Sequence, residues 1–588
     1  MNRTLAQCLT DVDAVRLEVI ARRWGLEYLP DRRIEAVAAM EAQMGDPQRV
    51  EEIWASLSPQ ERAALEFLHA VGGAVAWPTF VRRWGMVRDM GPGRLRQERP
   101  WESPASVAES LWYRGLVYRT VVEGPTGLYE VALIPDPLRA LLPLSSILLF
   151  RLTPSPPPTS PVPPTDALLD DLCTVLAYFQ VHPVRAAAGG KWPSSAEADL
   201  ARYLCDPDPE RWAFLRHLIQ CLGWLRVDRA GHLRPSPEPV TDWLQAPPAR
   251  QRLTLARAWR KDPTWDDLRR VPTLRPEETG SWRNDPLLAR EAVLRHLAAC
   301  SPGEWYRLAD FVAAVKEADP DFQRPDGNYD TWYIRDAVSG EYLRGFENWD
   351  RVEGALIRYI ITGPLAWLGM VAVTDGEDAC FSLTPTGAAF LGRADPPEEP
   401  PPPPMSIRPD FVLEVPAGQR YERFQVSRVA EWLHIGDPSL YRLTPASLER
   451  ARQQRIPPQR VVAFLEETTG RPVPPVLRRA LERWAQRGPE ARLESAILLR
   501  VQDEALLREL AAAPATRRYI REIVAPTVAL VSPEDAPKLA QALVERGILP
   551  DLPGEDRRIR ESENQRIRES ENQRRVFADS PILLIHLS

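Results

Sequence analysis

The sequence predicts a mainly α protein with small antiparallel hairpins (α+β), built as tandem winged-helix-like units and closed by a C-terminal α+β module. Three observations lead there: a recurring order of three helix-forming stretches and a hairpin, a recurring glycine phrase at the end of each third helix, and two proline runs between the periodic stretches. A chain of 588 residues is too long for a single hydrophobic core, so several domains are expected. With 44% hydrophobic and 26% charged residues the composition is that of an ordinary globular protein, not of a disordered or fibrous one.

The first unit is placed at residues 1–151. Ser58 serves as N-cap, Pro59 fits the first turn, and Leu65, Leu68 and Val71 follow at helical spacing. A second short helix fits Pro78 to Trp84, and a third fits Ser103 to Arg114, with Gly115 as its C-cap. Leu116 to Tyr118 and Tyr129 to Leu133 then flank a polar turn as a hairpin. Residues 152–165 form the first proline-rich linker, a semi-rigid spacer of extended chain.

The order recurs in a second unit at 166–250 and a third at 285–392. In the second, helices are expected at Asp166 to Phe179, Ser194 to Leu204 and Pro209 to Leu222, with a hairpin turning at Ala230-Gly231. In the third they are expected at Pro286 to Ala299, Trp305 to Lys316 and Trp349 to Ile361, with a hairpin turning at Asp375-Gly376 and a short helix from Thr384 to Leu391. The third helices end in similar phrases: Tyr113-Arg114-Gly115-Leu116-Val117, Cys221-Leu222-Gly223-Trp224-Leu225 and Trp367-Leu368-Gly369-Met370-Val371. In each, an apolar residue anchors the helix, glycine permits a left-handed exit, and the next residues open a strand.

A second proline-rich linker, 395–404, leads to a module at 405–552. Phe411 to Val415 reads as a strand and Arg420 to Leu433 as a helix with Trp432 in its core. Helices with proline in the first turn follow at Pro445 to Gln454, Pro458 to Thr468 and Pro474 to Arg487. Arg492 to Val501 reads as a strand, and Glu534 to Arg546 as a helix ending at Gly547. Residues 553–588 are expected to be a disordered tail, in which the octad RIRESENQ occurs twice, at 558–573.

The formal charge of −7 is small for this length, so any nucleic-acid contact must be local. Positive charge is almost all arginine, with lysine only at Lys191, Lys261, Lys316 and Lys538. That bias fits a GC-rich genome or heat tolerance and identifies no site. No run of about 18 apolar residues occurs, and the N-terminus lacks a signal-peptide core. A soluble, cytoplasmic protein with no membrane partner is expected. The six cysteines lack any Cys-x-x-Cys pair or neighbouring histidine cluster, so buried thiols are expected in place of a metal site or disulfides.

Ile407 to Leu413, Tyr441 to Leu448 with Val462 to Glu466, and Pro474 to Trp484 form a pattern whose end is fitted by Pro526 to Val531 and Leu543 to Pro550. It resembles the helicase-associated domain placed N-terminal to the motor in XPB-type helicases. Thr362 to Gly369 with Leu383 to Gly387 also resembles the unit preceding this domain in stand-alone bacterial relatives. The resemblance implies a role beside DNA unwinding, transcription or repair, with DNA and a helicase or nuclease as partners. It carries no catalytic signature, and the motor is missing. A P-loop needs Gly-x-x-x-x-Gly-Lys-[Ser/Thr]; here Gly189-Gly190-Lys191 is preceded by Arg185 where the first glycine belongs and followed by Trp192 in place of the hydroxyl residue. Asp503-Glu504 reads as the acidic first turn of a helix.

His69, His217 and His296 stand late in predicted helices, where a cation meets the helix dipole. No hydrolase motif occurs. No catalytic residue, metal, cofactor or small-molecule substrate is expected. The most basic helical stretch lies in the C-terminal module, where Arg450, Arg452, Arg455, Arg478, Arg479 and Arg483 are the candidate nucleic-acid-binding residues, near Arg460, Arg471 and Arg487. The third helices of the repeats are not basic in this way: Trp349 to Ile361 offers only Arg351 and Arg358. A helix that reads DNA presents basic or amide side chains, so some of the units are expected to be scaffolds for protein contact. The expectation is therefore a non-catalytic DNA-binding or helicase-associated accessory protein, with a protein-only adaptor as the alternative.

Overall fold

The computed structural model describes residues 3–124, 127–145, 149–158, 165–278, 283–374, 376, 378–488 and 496–551. The tail with its duplicated octad lies outside the described residues. About half of the chain is helical, with small antiparallel sheets. The chain separates into two compact units, residues 1–485 and 486–588, and this division falls inside the segment 405–552 that the sequence groups together.

Within the larger unit one order of elements is built three times. In the first, a capping box at Ser58 and Glu61 starts the helix Pro59–Ala70, followed by the strand Ala74–Ala76 and the helices Trp77–Trp84, Pro92–Glu98 and Val107–Tyr113. The strands Tyr118–Gly124 and Gly127–Leu133 close it, and the last strand pairs on both sides, lying between the other two. In the third, Pro286–Leu297, Trp305–Arg307, Leu308–Ala318, Trp349–Ile360, Val371–Val373 and Cys380–Leu383 repeat the order, again with the last strand in the middle. The middle copy keeps the helices Ala167–Val181, Ser194–Leu200 and Pro209–Cys221 and the hairpin Leu225–Val227 with Leu233–Pro235. Its first strand has shrunk to one bridge between Arg185 and His232.

The three glycine phrases share one geometry. Gly115, Gly223 and Gly369 have φ of 66°, 62° and 71°, where a side chain costs about 1–2 kcal/mol. The next amide reaches back five residues each time: Leu116 N–H to Leu111 O at 3.1 Å, Trp224 N–H to Ile219 O at 3.0 Å, and Met370 N–H to Leu365 O at 2.8 Å. This six-residue closure satisfies carbonyls orphaned at the helix end and aims the chain into the strand that follows.

Several expectations need correcting. Trp305 to Arg307 forms a strand where a helix start was expected, because it pairs with Cys380 to Ser382; long-range pairing overrides the local helical periodicity. The helix from Arg420 stops at Val429, since Ala430 is already extended (φ −130°, ψ 160°). Trp432 therefore sits in the strand Glu431–His434, paired with Ser439–Arg442. Cys205 and Cys221 are exposed, whereas Cys8, Cys173 and Cys300 are buried as expected.

The middle and third copies share one hydrophobic core, which reaches Phe424 beyond the second proline run. The helix Ala167–Val181 is the hub, burying twelve of its fifteen residues. It packs on its own unit on one side and on the helix Arg420–Val429 on the other. Buried Arg420 donates to Asp170 at 2.9 Å, Asp166 at 2.7 Å and Gln251 at 3.1 Å, and Arg423 donates to Thr174 at 2.9 Å. Burial acts to raise the Asp166 carboxyl, but Arg420 and Arg252 outweigh it and hold the group below the ordinary carboxylate range.

The described residues in and beside the two proline runs contact this body. Phe150 packs edge-on against Phe311 at 5.7 Å, and Ser155 N–H donates to Trp305 O at 2.7 Å. In the second run, Glu399 accepts from Arg252 at 2.7 Å. The first copy joins the third through its second helix, where Arg82 donates to Gly327 O at 3.1 Å, Arg83 donates to Glu317 O at 3.1 Å, and Thr79 bonds Asp321.

Candidate nucleic-acid interface

The C-terminal arginines stand on helices layered over a four-stranded sheet in the order Ser406–Ile407, Val412–Val415, Ser439–Arg442, Glu431–His434. Thr444 caps the helix Pro445–Gln453 with a reciprocal box to Ser447, and the helices Pro458–Thr469 and Pro475–Arg487 follow, each with proline in the first turn. Leu448, Ala451, Val461, Val462, Leu465, Leu477 and Leu481 fill the core beneath them. Only three of nine residues are buried in the first of these helices and two of thirteen in the last.

The six candidate arginines do different things. Arg450 is half-buried and donates to Ala430 O at 2.9 Å, which ties its helix to the sheet. Arg452 pairs with Glu449 at 2.6 Å, and Arg478 pairs with Glu466. Arg455 is exposed in a left-handed conformation (φ 61°) at the helix exit. Arg479 is exposed, and Arg483, also exposed, stands one turn further along the same face. The two triplets lie on different helices, so the structure gathers Arg450, Arg452 and Arg455 at one helix end and Arg478, Arg479 and Arg483 along another.

The sequence reading missed what meets the first triplet. At the C-terminus of Ala167–Val181, Gln180 donates to Gln454 Oε1 at 3.4 Å, and Arg428 donates to the same oxygen at 3.1 Å. His182 stacks on Tyr178 with ring centres 4.4 Å apart and meets Trp432 at 6.3 Å; Tyr203 meets Trp432 edge-on at 5.2 Å. Desolvation and the charge of Arg450 hold His182 below the ordinary imidazole range. Burial, together with nearby Arg460, likewise lowers Arg428, against a smaller opposing effect of Tyr421. Arg450 is lowered by burial, with Glu431 opposing. No motif could have announced this set, because its members come from sequence positions more than two hundred residues apart.

The third helices of the repeats differ. Trp349–Ile360 buries eight of its twelve residues, including Glu353. Arg351 is held by Asp336 at 2.9 Å and Asn348 at 3.2 Å, which leaves Arg358 and Asp350 as its other exposed charged residues. In the first copy Arg94 pairs with Glu98 and Arg99 with Glu102. In the Gly189-Gly190-Lys191 segment Trp192 is buried against Phe179 at 4.9 Å and Trp212 at 5.7 Å. Asp503 is the N-cap of the helix Glu504–Ala512, accepting from Leu506 N–H at 2.9 Å. Among the described residues no helix is long and apolar enough to cross a membrane, and no group of three or more His, Cys, Asp or Glu converges as a metal site.

Residues 408–524 match the family model described as the helicase conserved C-terminal domain. The C-terminal part of the chain thus carries a helicase-associated domain, and the candidate arginines lie within it. No curated protein matches the chain.

Proposed function

We propose that this chain is a non-catalytic accessory protein of a helicase or nuclease, acting in DNA unwinding, repair or transcription by binding nucleic acid through residues 408–524. The reading is carried by the helicase-domain match falling on the stretch where Arg455, at a helix exit, and Arg479, on a helix with one buried face, are exposed. Exposed arginines suit phosphate oxygens, contacts to which supply most non-specific affinity. The three repeats are read as winged helices in an XPB-like, stand-alone arrangement, supported by their common strand order and glycine exits. Binding to labelled duplex and forked DNA across a salt series tests this. The reading expects tight binding at low salt that falls steeply as salt rises; no binding at low salt contradicts it.

The burial of Trp349–Ile360 favours a second reading for the repeats, as a protein-contact scaffold. Co-purification with a helicase or nuclease after nuclease treatment, with no affinity for DNA, would select it.

A further inference from the structure

Three features adjoin one another at the seam between the middle repeat and the C-terminal module. The first is crowded positive charge. Arg428 and Arg450 stand where the C-terminal ends of Ala167–Val181 and Pro445–Gln453 meet, Arg460 lies close enough to Arg428 to lower it, Arg455 follows at the exit of Pro445–Gln453, and the His182 ring beside Arg450 is pushed toward its neutral form. Glu431 is the carboxylate facing Arg450, and its Oε1 already accepts from Thr444 at 2.8 Å. Like charges gathered at a surface cost energy unless an anion relieves them.

The second feature is the chain of rings running from Tyr178 through His182 and Trp432 to Tyr203. Trp432 Nε1 and Arg450 Nε are shielded from solvent and have no hydrogen-bond partner, so two donors stand unused in the seam. The third is an open cleft of about 650 Å³ on the middle repeat, which shares Tyr178 with the ring chain and is lined also by Val184, Arg185, Ser195, Asp199 and Arg202. That volume is in the range of small-molecule pockets and leaves ample room for a planar group such as a base. Asp199 accepts from Tyr178 at 2.9 Å and pairs with Arg202. A carboxylate there repels a phosphate but accepts from an exocyclic amine, while Arg202 and Ser195 can donate to ring nitrogens or carbonyls.

We infer that this seam is a single-stranded nucleic-acid site, with a base lodged in the Tyr178–Arg185–Asp199 cleft and the backbone phosphates running over Arg450, Arg455 and Arg460. It rests on the nucleic-acid reading above and sharpens it. The middle repeat supplies base contacts, the helicase-like module supplies phosphate contacts, and the preferred substrate is the unpaired strand. Bases fully stacked in a duplex cannot enter such a cleft without unpairing.

The test uses the full chain and one fluorescein-labelled oligonucleotide, single-stranded and as its duplex. The variants are Arg185→Ala, His182→Ala and Arg460→Ala, with Arg32→Ala as control; all four residues are exposed, and thermal melts verify folding. The expected result is tighter binding of the single strand, weakened at least fivefold by each seam variant and unchanged by Arg32→Ala. Arg460→Ala should also lower the salt slope by about 0.7, the value for one lost contact on a single strand. If the wild type binds DNA and Arg479→Ala weakens it while the seam variants do not, the seam is overturned and the wider function stands. Equal affinity for duplex and single strand overturns the base-in-cleft arrangement. If the wild type binds neither form, both readings fall.

Discussion

The helix Trp349–Ile360 and the helix Pro475–Arg487 have similar lengths and opposite fates. The first buries eight of twelve residues and the second two of thirteen. The first is enclosed by the shared core of the middle and third repeats, and its Glu353 is neutralised inside by Arg324 at 2.6 Å. The second rests Leu477 and Leu481 on the module core and leaves Arg479 and Arg483 outside. Arginine thus has two uses in this chain. Arg211, Arg290, Arg324 and Arg420 are buried against Asp171, Asp267, Glu353 and Asp166 and hold elements together, whereas Arg455, Arg460 and Arg479 are surface charge. Abundant arginine in the sequence says nothing about which use a given residue serves; burial does.

The comparison breaks most visibly at the buried pairs. Arg324→Met strands Glu353 in the core, and removing one partner of such a pair costs about 3–5 kcal/mol. Chemical denaturation should show that loss, and adding Glu353→Leu should recover much of it. An unchanged midpoint in Arg324→Met would mean that Glu353 is already neutral and the pair holds nothing.

A pH effect of smaller size comes from Asp267. Burial pushes its carboxyl up to about 6 despite Arg290, against about 3.9 in an unfolded chain. A group with a raised folded value binds its proton more tightly when folded, so its stabilising contribution is complete below about pH 4 and is lost as pH rises through about 6. The span amounts to at most about 3 kcal/mol. Stability measured from pH 4 to 7 should contain this downward component, and the wild-type curve minus that of Asp267→Asn should isolate it.

The repeat exits offer a finer test. Gly115→Ala and Gly223→Ala both force a left-handed alanine at about 1–2 kcal/mol. At Gly115 the new Cβ also lies 2.7 Å from Ile20 Cγ2, while at Gly223 it meets nothing within 4 Å. Gly115→Ala should therefore lower the melting temperature more than Gly223→Ala; the reverse order would show that the two exits are not equivalent.

Much of the fold was legible because its signals are local. The N-cap at Ser58, the prolines at Pro445 and Pro458, and the three glycine exits each fix a boundary within one turn of chain. The strand Trp305–Arg307 was not legible, since its partner is Cys380 to Ser382, nor was the turn from helix to strand before Trp432. Of the candidate site, the sequence identified the arginine-rich helices but not which arginines are engaged: Arg450, Arg452 and Arg478 have partners at Ala430, Glu449 and Glu466. His182, Tyr203 and Arg428 escaped notice because the packing of Ala167–Val181 against Arg420–Val429 is what brings His182 near Arg450, Tyr203 onto Trp432 and Gln180 to the Gln454 oxygen that Arg428 also meets.

The smallest effect on stability and the most direct test fall on the same variants. Arg455→Ala with Arg479→Ala should change folding stability by less than about 0.5 kcal/mol each, as exposed substitutions do. The decisive measurement is their affinity for duplex DNA across a salt series, beside Arg351→Ala with Arg358→Ala in the enclosed helix. The account predicts that the first pair weakens binding and lowers the slope of log K against log salt by about 1.8, two phosphate contacts at about 0.9 each, while the second pair leaves both unchanged. A slope altered by the second pair and untouched by the first would contradict it.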